Sequence, residues 1–272
     1  MKYSDLHMHT IYSDGTCRPK QNVVDAAMLG LEAIAITDHD ITSGFCEAKE
    51  EAEKWGIEVL TGVEISAQKY HILGYNFDIN DKGLQELLKY SRHCQEEIVK
   101  KRVERIASIG VPITFSKVKG LFPESRIGKM NIVSALMMDS ECRAYICNSS
   151  NKSSDEIFNL YLGKGAVGSR VGHKEEVMPG EAIDAIHKAG GIAVLAHPAK
   201  DVDDIREIDA LAEIGIDGLE IQPNARNGYE VFREYAMRNG LLVTYGSDYH
   251  GARFSERPLL GKNGNLIEEF WR

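Results

Sequence analysis

Two histidines one residue apart, His7 and His9, close the short run Asp5-Leu6-His7-Met8-His9 near the start of the chain. On an extended backbone, residues i and i+2 point to the same side. Two imidazoles placed this way can share one ion, the commonest metal use of histidine. Further ionisable residues stand where other apolar runs stop. Asp14 follows the first run, Asp38 and His39 follow AIAIT, Glu64 lies in GVEIS, and His71 opens HILGY; His197 follows IAVLA, and Asp248 and His250 follow LLVTYGS. One histidine beside a strand is more often a satisfied structural group than a ligand. Here six of the nine histidines fall at such ends, and only His93, His173 and His187 fall elsewhere. That coincidence needs a shared cause, and a metal cluster supplies it. Four protein ligands saturate a structural zinc, while catalytic sites keep a position open for water. Nine candidates, the six histidines with Asp14, Glu64 and Asp248, are too many for one ion and suit two or three sharing a bridging carboxylate. Close-packed divalent ions generate hydroxide near neutral pH and clamp the attacking and leaving oxygens of an in-line displacement. Nitrogen and oxygen donors without thiolate suit Zn, Mn or Fe.

The elements that must position these groups alternate between strand and helix. Pro19 sits where a first helical turn would start, Val23, Val24, Ala27 and Met28 recur at helical spacing, and Gly30 closes the helix. Ala33–Thr37 is a wholly apolar strand, followed by a helix over about 43–55, short strands at 57–60 and 63–65, and a strand at 70–75. A long polar helix covers about 82–109, and weakly periodic pieces follow it. Residues 89–175 read as a helical insertion, which divides the chain into 1–88, 89–175 and 176–272. From Pro179 the rhythm resumes: helix 180–189, strand 192–196, helix 202–214, strand 218–221, helix 229–238 and strand 241–245. Repeated units of this length predict parallel strands with helices outside, as a barrel or an open sheet, and sites are built along the carboxyl ends of such strands.

Composition excludes several classes. No apolar run is long enough to cross a bilayer, and the opening residues are not expected to act as a signal peptide. A net charge of −9 argues against a protein that coats nucleic acid. The charge is uneven: residues 89–175 hold 15 Lys and Arg against 9 Asp and Glu, so a basic insertion sits on an acidic body. Such a surplus fits either an anion receptor or a solvated helical surface. Five scattered cysteines, with no zinc-finger spacing, are expected to be reduced thiols of a cytoplasmic protein.

The motifs DLHMHT with SDG at 13–15, AITDHD, GVEIS, HILGY, AVLAHP and GSDYH resemble those of the PHP (polymerase and histidinol phosphatase) family of metal-dependent phosphoesterases. They occur in the family's order over nearly the whole chain. More narrowly, the chain resembles the branch containing nucleoside 3′,5′-bisphosphate phosphatases and a 5′-end RNA exonuclease, whose members carry a helical domain between the HILGY-like and AHP-like motifs. The resemblance implies an α/β fold, a distorted (β/α)7 barrel with an inserted, mainly helical subdomain. It also implies three divalent ions (Mn, Zn or Fe). One would be held by His7, His9, Glu64 and Asp248, a second by Glu64, His71 and His197, and a third by Asp14, His39 and His250. Asp38 would orient His39 or another ligand, and Asp248, His197 and Glu64 would be catalytic. That branch commonly has an Arg-x-His pair near the substrate phosphate. Here Arg126-Ile127-Gly128-Lys129 keeps the arginine and loses the histidine. Arg126 and Lys129 are the expected phosphate contacts. Arg170 and Arg18 are further candidates, although each is more often an ordinary surface arginine.

The activity so implied is hydrolysis, by a metal-bridging hydroxide, of phosphate esters of a nucleotide-like substrate. That substrate would be a nucleoside 3′,5′-bisphosphate or a 5′-phosphorylated oligoribonucleotide, with no membrane and no obligate protein partner. An alternative is a phosphorylated sugar such as a ribose cyclic phosphate, since the family also holds cyclic phosphodiesterases and histidinol phosphatase. An alternative of another class is a non-catalytic metal-binding PHP module, against which the intact ligands at every motif count. An amidohydrolase acting on a C–N bond would normally show a carbamylated-lysine strand, and no strand end here carries a lysine.

Overall fold

The computed structural model describes residues 3–146, 152–169, 171–172, 175–222, 229–251 and 265–266. The chain divides into two units, Met1–Ser91 with Val177–Arg272, and Arg92–Glu176.

The first unit opens with β1 (Tyr3–Met8), α1 (Pro19–Met28), β2 (Ala33–Ile36), α2 (Gly44–Trp55), β3 (Glu58–Leu60), β4 (Gly62–Ala67) and β5 (Tyr70–Tyr75). Pro19 starts α1 because a first-turn residue has no amide bond to lose. Gly56 ends α2 in the left-handed conformation, φ 68°, that favours glycine. α3 (Lys82–Ser108) begins in the first unit and runs into the second, which continues through α4 (Phe115–Leu121), α5 (Lys129–Met138), α6 (Ser140–Ile146) and α7 (Ser154–Tyr161). The first unit then resumes with α8 (Pro179–Lys188), β6 (Ile192–Leu195), α9 (Pro198–Asp201), α10 (Arg206–Glu213), β7 (Gly218–Ile221), α11 (Tyr229–Asn239), β8 (Leu242–Tyr245) and β9 (Asn265–Leu266). The helix expected over 202–214 is the shorter α10, and the one-turn α9 precedes it.

Two sheets form, in the orders β3-β2-β1-β9 and β4-β5-β6-β7-β8. Single parallel bridges link them, Met8 to Tyr249 and His39 to Glu64. The expectation of parallel strands throughout fails at β5, which runs antiparallel to both β4 and β6. The reason is local. Only Gln68 and Lys69 separate β4 from β5, and Gln68 takes a positive φ of 55°. A two-residue link allows a hairpin, whereas a parallel neighbour needs a crossover of a dozen residues or more. The reversal has a functional consequence. His71 enters at the amino end of β5, opposite Ser66 near the carboxyl end of β4, and so reaches the same rim as the other strand ends.

Packing fixes which side chains face inward. Leu6, Ala35, Leu60, Leu73, Tyr75, Val194 and Ala196, drawn from strands or strand ends of both sheets, form one buried cluster. On the outer faces, Val63, Ile65, Leu195 and Leu219 pack with α8, α10 and α11 residues such as Ile183, Ile186 and Leu211. Val23, Ala26, Ile34, Ile36, Ala48 and Ala52 pack β2 against α1 and α2. Strand residues alternate between faces. Glu64, between Val63 and Ile65, therefore points inward, and so does Glu220 beside Leu219.

In the second unit α5 is buried from Met130 to Leu136, the signature of a helix surrounded by others. Among the described residues, no helix is long and apolar enough to cross a membrane, and Cys17, Cys46, Cys94 and Cys142 are not disulfide-bonded.

Candidate metal centre

All nine expected donors converge in the first unit, in three groups whose ligand atoms lie within 4.8 Å of one another. The groups are His9, Asp14, His39 and His250; His7, His9 and Asp248; and Glu64, His71 and His197. Glu64 lies between them. Its Oε2 is 2.9 Å from His39 Nδ1, 3.2 Å from His9 Nε2 and 3.3 Å from His7 Nε2. Its Oε1 is 3.0 Å from His197 Nε2 and 3.2 Å from His71 Nδ1. Asp248 Oδ1 stands 3.4 Å from His9 Nε2 and 3.6 Å from His7 Nε2. Asp14 Oδ1 stands 3.2 Å from His250 Nε2 and 3.8 Å from His39 Nε2.

Local backbone choices aim these groups. His197 and Asp248 follow β6 and β8 with positive φ of 27° and 55°. Neither is glycine, so each holds a sparsely populated conformation of the kind that concentrates at functional sites. The far nitrogen of several imidazoles is already engaged. His7 Nδ1 lies 2.7 Å from Glu220 Oε1 and His250 Nδ1 lies 2.8 Å from the Asp248 carbonyl, whereas His197 Nδ1 and Asp201 Oδ2, 3.0 Å apart, make a charge contact without a hydrogen bond. Since an oxygen acceptor takes the ring N–H, the opposite nitrogen presents its lone pair to the cluster. Asp38 does not work through His39. It accepts from the Thr10 amide at 2.7 Å and from the hydroxyls of Thr10 and Ser13 at 2.6 Å each, and Ser13 Oγ lies 3.3 Å from His9 Nδ1. Asp38 thus orders the 10–13 loop behind His9.

The donor set fits divalent ions. A tetrahedral site with bonds of about 2.0–2.1 Å has donor-to-donor edges of roughly 3.3 Å. His7 Nε2 and His9 Nε2 stand 3.1 Å apart, and His71 Nδ1 and His197 Nε2 3.3 Å apart. Glu64 Oε2, Asp14 Oδ1 and His39 Nδ1 are buried and make no hydrogen bond. The 2.9 Å approach of His39 Nδ1 to Glu64 Oε2 is thus an electrostatic contact without hydrogen-bond alignment. Buried polar atoms left this way are expensive, and a shared cation would satisfy them.

The electrostatics agree. Burial would raise Glu64, but the imidazoles of His39, His7 and His71 hold it well below the usual carboxylate range. Burial is likewise overcome at Asp248 by Lys200 and His250, and at Asp14 by His250 and His39. Burial would lower His9, yet Asp248 and Glu64 lift it to about 9. At His197, burial and Lys200 are outweighed by Asp201 and Glu64, again giving about 9. His39, by contrast, is depressed, by burial. Protons and metal ions therefore compete for the same lone pairs.

Sequence reasoning missed three groups here. Glu220 is fully buried and joins His7 to the His197 amide, which it accepts at 2.8 Å. Asp201 backs His197, and Lys200 Nζ lies 2.6 Å from Asp248 Oδ2. A carboxylate inside the apolar strand Gly-Leu-Glu-Ile was the available signal, the same one that Glu64 gives in β4. Of the expected phosphate contacts, Arg18 stands outside the donor groups, 4.0 Å from Glu47. Arg126 and Lys129 belong to the second unit, the former buried and the latter exposed. Arg170 and His173 lie outside the described residues.

Comparison with known proteins places this geometry. The PHP domain model matches residues 5–117. The chain is 29% identical to a 5′-3′ exoribonuclease of Haemophilus influenzae, over 98% of this chain and 96% of that one. It is 30% identical to a 3′,5′-nucleoside bisphosphate phosphatase of Chromobacterium violaceum, over 90% and 86%. It is 28% identical to a phosphoribosyl 1,2-cyclic phosphate 1,2-diphosphodiesterase of Eggerthella lenta, over 94% and 97%. A solved Bifidobacterium adolescentis structure, described as that of a metal-dependent phosphoesterase by assignment, superposes with TM-score 0.83 at 30% identity, covering 96% of this chain and 91% of that one. A Chromobacterium violaceum structure described as an amidohydrolase, with bound sulfate, gives TM-score 0.80 at 27% identity, over 97% and 92%. Fold and site define a metal-binding α/β enzyme that hydrolyses phosphoric esters. The chain belongs to the PHP family.

Proposed function

We propose that the enzyme hydrolyses a phosphate ester of a nucleotide-like substrate, a nucleoside 3′,5′-bisphosphate or a 5′-phosphorylated oligoribonucleotide. The observation that carries this reading is the position of Glu64, whose two oxygens face five imidazoles while Oε2 makes no hydrogen bond. A carboxylate so placed suits two ions at once. We assign Glu64 with His7, His9 and Asp248 to one ion, Glu64 with His71 and His197 to a second, and Asp14, His39 and His250 to a third, as Mn, Zn or Fe. When bound, such ions supply a water nucleophile near neutral pH and neutralise phosphate oxygens. The chain's own residues hold that arrangement. Glu220 fixes the His7 ring, the Asp248 carbonyl fixes His250, and Lys200 holds the second oxygen of Asp248. Arg126 and Lys129 are offered as phosphate contacts on the chemistry of guanidinium fork and ammonium.

We read β1, β2 and β4 to β8 as one distorted seven-strand barrel around this rim, with β3 and β9 outside the ring. The bridges from Met8 to Tyr249 and from His39 to Glu64, and the inner cluster shared by both sheets, support closure. Reduced, scattered cysteines support a cytoplasmic enzyme.

The similarity to the Eggerthella lenta protein favours a second reading, hydrolysis of a ribose cyclic phosphate. Metal-reconstituted protein incubated with adenosine 3′,5′-bisphosphate, short 5′-phosphorylated RNA and ribose 1,2-cyclic phosphate separates the two. Phosphate release or mononucleotides from the first pair is the expected result. Turnover of the cyclic ester alone favours the second reading, and inert protein with a full metal complement contradicts both.

A further inference from the structure

β2 and β4 belong to different sheets, and the single bridge from His39 to Glu64 joins their ends. In a parallel ladder the amide and carbonyl of one residue reach two residues of the neighbouring strand. The bridge follows that pattern. The Glu64 amide donates to the Asp38 carbonyl at 3.3 Å, and the Asp40 amide donates to the Glu64 carbonyl at 2.9 Å. The next rung would bring the Ser66 amide to the Asp40 carbonyl. Asp40 instead takes a positive φ of 53°, so the chain leaves the ladder there. Aspartate is one of the few residues that tolerate this conformation.

The side chain supplies the missing acceptor. Asp40 Oδ1 accepts the Ser66 amide at 2.7 Å, and Oδ2 accepts the Ser66 hydroxyl at 3.0 Å. Ser91, on the part of α3 that belongs to the first unit, donates its hydroxyl to Oδ1 at 2.9 Å. Asp40 is fully buried, and Ser66 and Ser91 nearly so. An ionised carboxylate only accepts, which suits three donors converging on it. Ser66 also stands across from His71 in the pairing of β4 with β5. Asp40 is thus the neighbour of His39 in the chain and, through Ser66, lies one cross-strand pair from His71. Those two imidazoles face the two oxygens of Glu64, at 2.9 Å and 3.2 Å.

We propose that Asp40 is a positioning residue of the metal centre, whose carboxylate extends the His39–Glu64 bridge by one rung and so holds His39 and His71 in place about Glu64. The inference rests on the ion assignment proposed above, in which His39 and His71 serve two different ions while His7, His9 and Asp248 serve the remaining one. Asp40 belongs to none of the three donor groups. Its loss therefore bears on two ions and spares one.

Full-length protein is stripped with a chelator and titrated calorimetrically with Mn, and bound ions are counted by elemental analysis. Asp40→Gly keeps the left-handed backbone and removes the acceptors. It is expected to bind two of its ions roughly 10- to 100-fold more weakly and the remaining ion as the wild type does. Asp40→Asn retains Oδ1 for the Ser66 amide and turns an NH2 toward the Ser66 hydroxyl oxygen, so it is expected to restore wild-type binding. Undiminished affinity for every ion in Asp40→Gly, or an asparagine variant as weak as the glycine one, overturns the proposal. A control separates positioning from stability. Asp139→Ala loses the acceptor for the first amides of α6 in the second unit and is expected to keep all its ions; a matching loss of ions there overturns the assignment. If Asp40→Gly does not fold, Ser66→Ala removes one of the three bonds and is expected to weaken the same two ions about fivefold; unchanged binding in it overturns the proposal. Wild-type protein that takes up no ion overturns the metal centre and the role of Asp40 with it, whereas normal wild-type uptake with an unchanged glycine variant overturns the role of Asp40 alone.

Discussion

Glu220 accepts the Nδ1 hydrogen of His7 at 2.7 Å while its other oxygen accepts the backbone amide of His197 at 2.8 Å. One buried carboxylate thus sets the tautomer of one candidate ligand and the backbone position of another. Neither contact tolerates a donor in its place.

Glu220→Gln conserves volume but must turn an NH2 group toward either the His7 ring or the His197 amide. Metal affinity is expected to fall roughly 10- to 100-fold, as for other groups that orient ligating histidines. Isothermal titration of the chelated protein with Mn or Zn measures this. Wild-type affinity in the variant would remove Glu220 from the account.

Gly246, just after β8, lets that pair form. A Cβ at this position would stand 2.2 Å from His7 Cβ and 2.6 Å from Glu220 Oε1. Gly246→Ala is therefore expected to lower the melting temperature and to abolish tight metal binding together. A variant with normal stability and metal content would show that the packing is looser than described.

Metal removal should be visible in stability. The buried, unbonded oxygens of Glu64 and Asp14 cost the metal-free chain, and a ligand at a thousand times its Kd adds about 4 kcal/mol. Chelated protein should melt well below protein given Mn or Zn, in a concentration-dependent way. Identical melting curves would contradict a cation shared by these groups.

The second unit offers a pH test. Asp139 accepts the amides of Cys142 at 2.9 Å and Glu141 at 3.1 Å, and Lys117 Nζ at 3.1 Å. The Cys142 amide, with Lys117 helping against burial, holds the carboxyl down at about 2. A depressed carboxylate contributes stability present above the unfolded value, near 3.8, and lost as pH falls toward 2. The gap between wild type and Asp139→Asn should be constant above about pH 5 and close in that window, whereas Asp139→Ala, which also removes the acceptor for the first amides of α6, loses about 1 kcal/mol more. Thermal melts from pH 6 to 2 read this, and a gap independent of pH would refute it.

Much of the site was legible because its signals are local. His7 and His9 share a side through the period of a strand, and His39, His197, Asp248 and His250 follow apolar runs that can only be buried strands. What escaped depends on contacts remote in sequence. Glu220 bonds a residue 213 positions away, and the carboxylate in Gly-Leu-Glu-Ile signals burial without showing which groups it meets. The reversal of β5 was visible in the two-residue link at Gln68 and Lys69, but the βα rhythm on either side outweighed it. Asp40 was hidden for the opposite reason. Beside His39 it reads as one more carboxylate of the rim, and only its bonds to Ser66 and Ser91 show that it serves a strand end.

Glu64 is the carboxylate that the proposed metal centre shares between ions. Elemental analysis of wild-type and Glu64→Gln protein, each reconstituted with Mn or Zn and freed of excess, tests that directly. The variant is expected to lose at least two of the ions held by the wild type, and phosphoesterase turnover with them, while keeping its fold by circular dichroism. A folded Glu64→Gln protein with the full metal complement and an undiminished rate would contradict it.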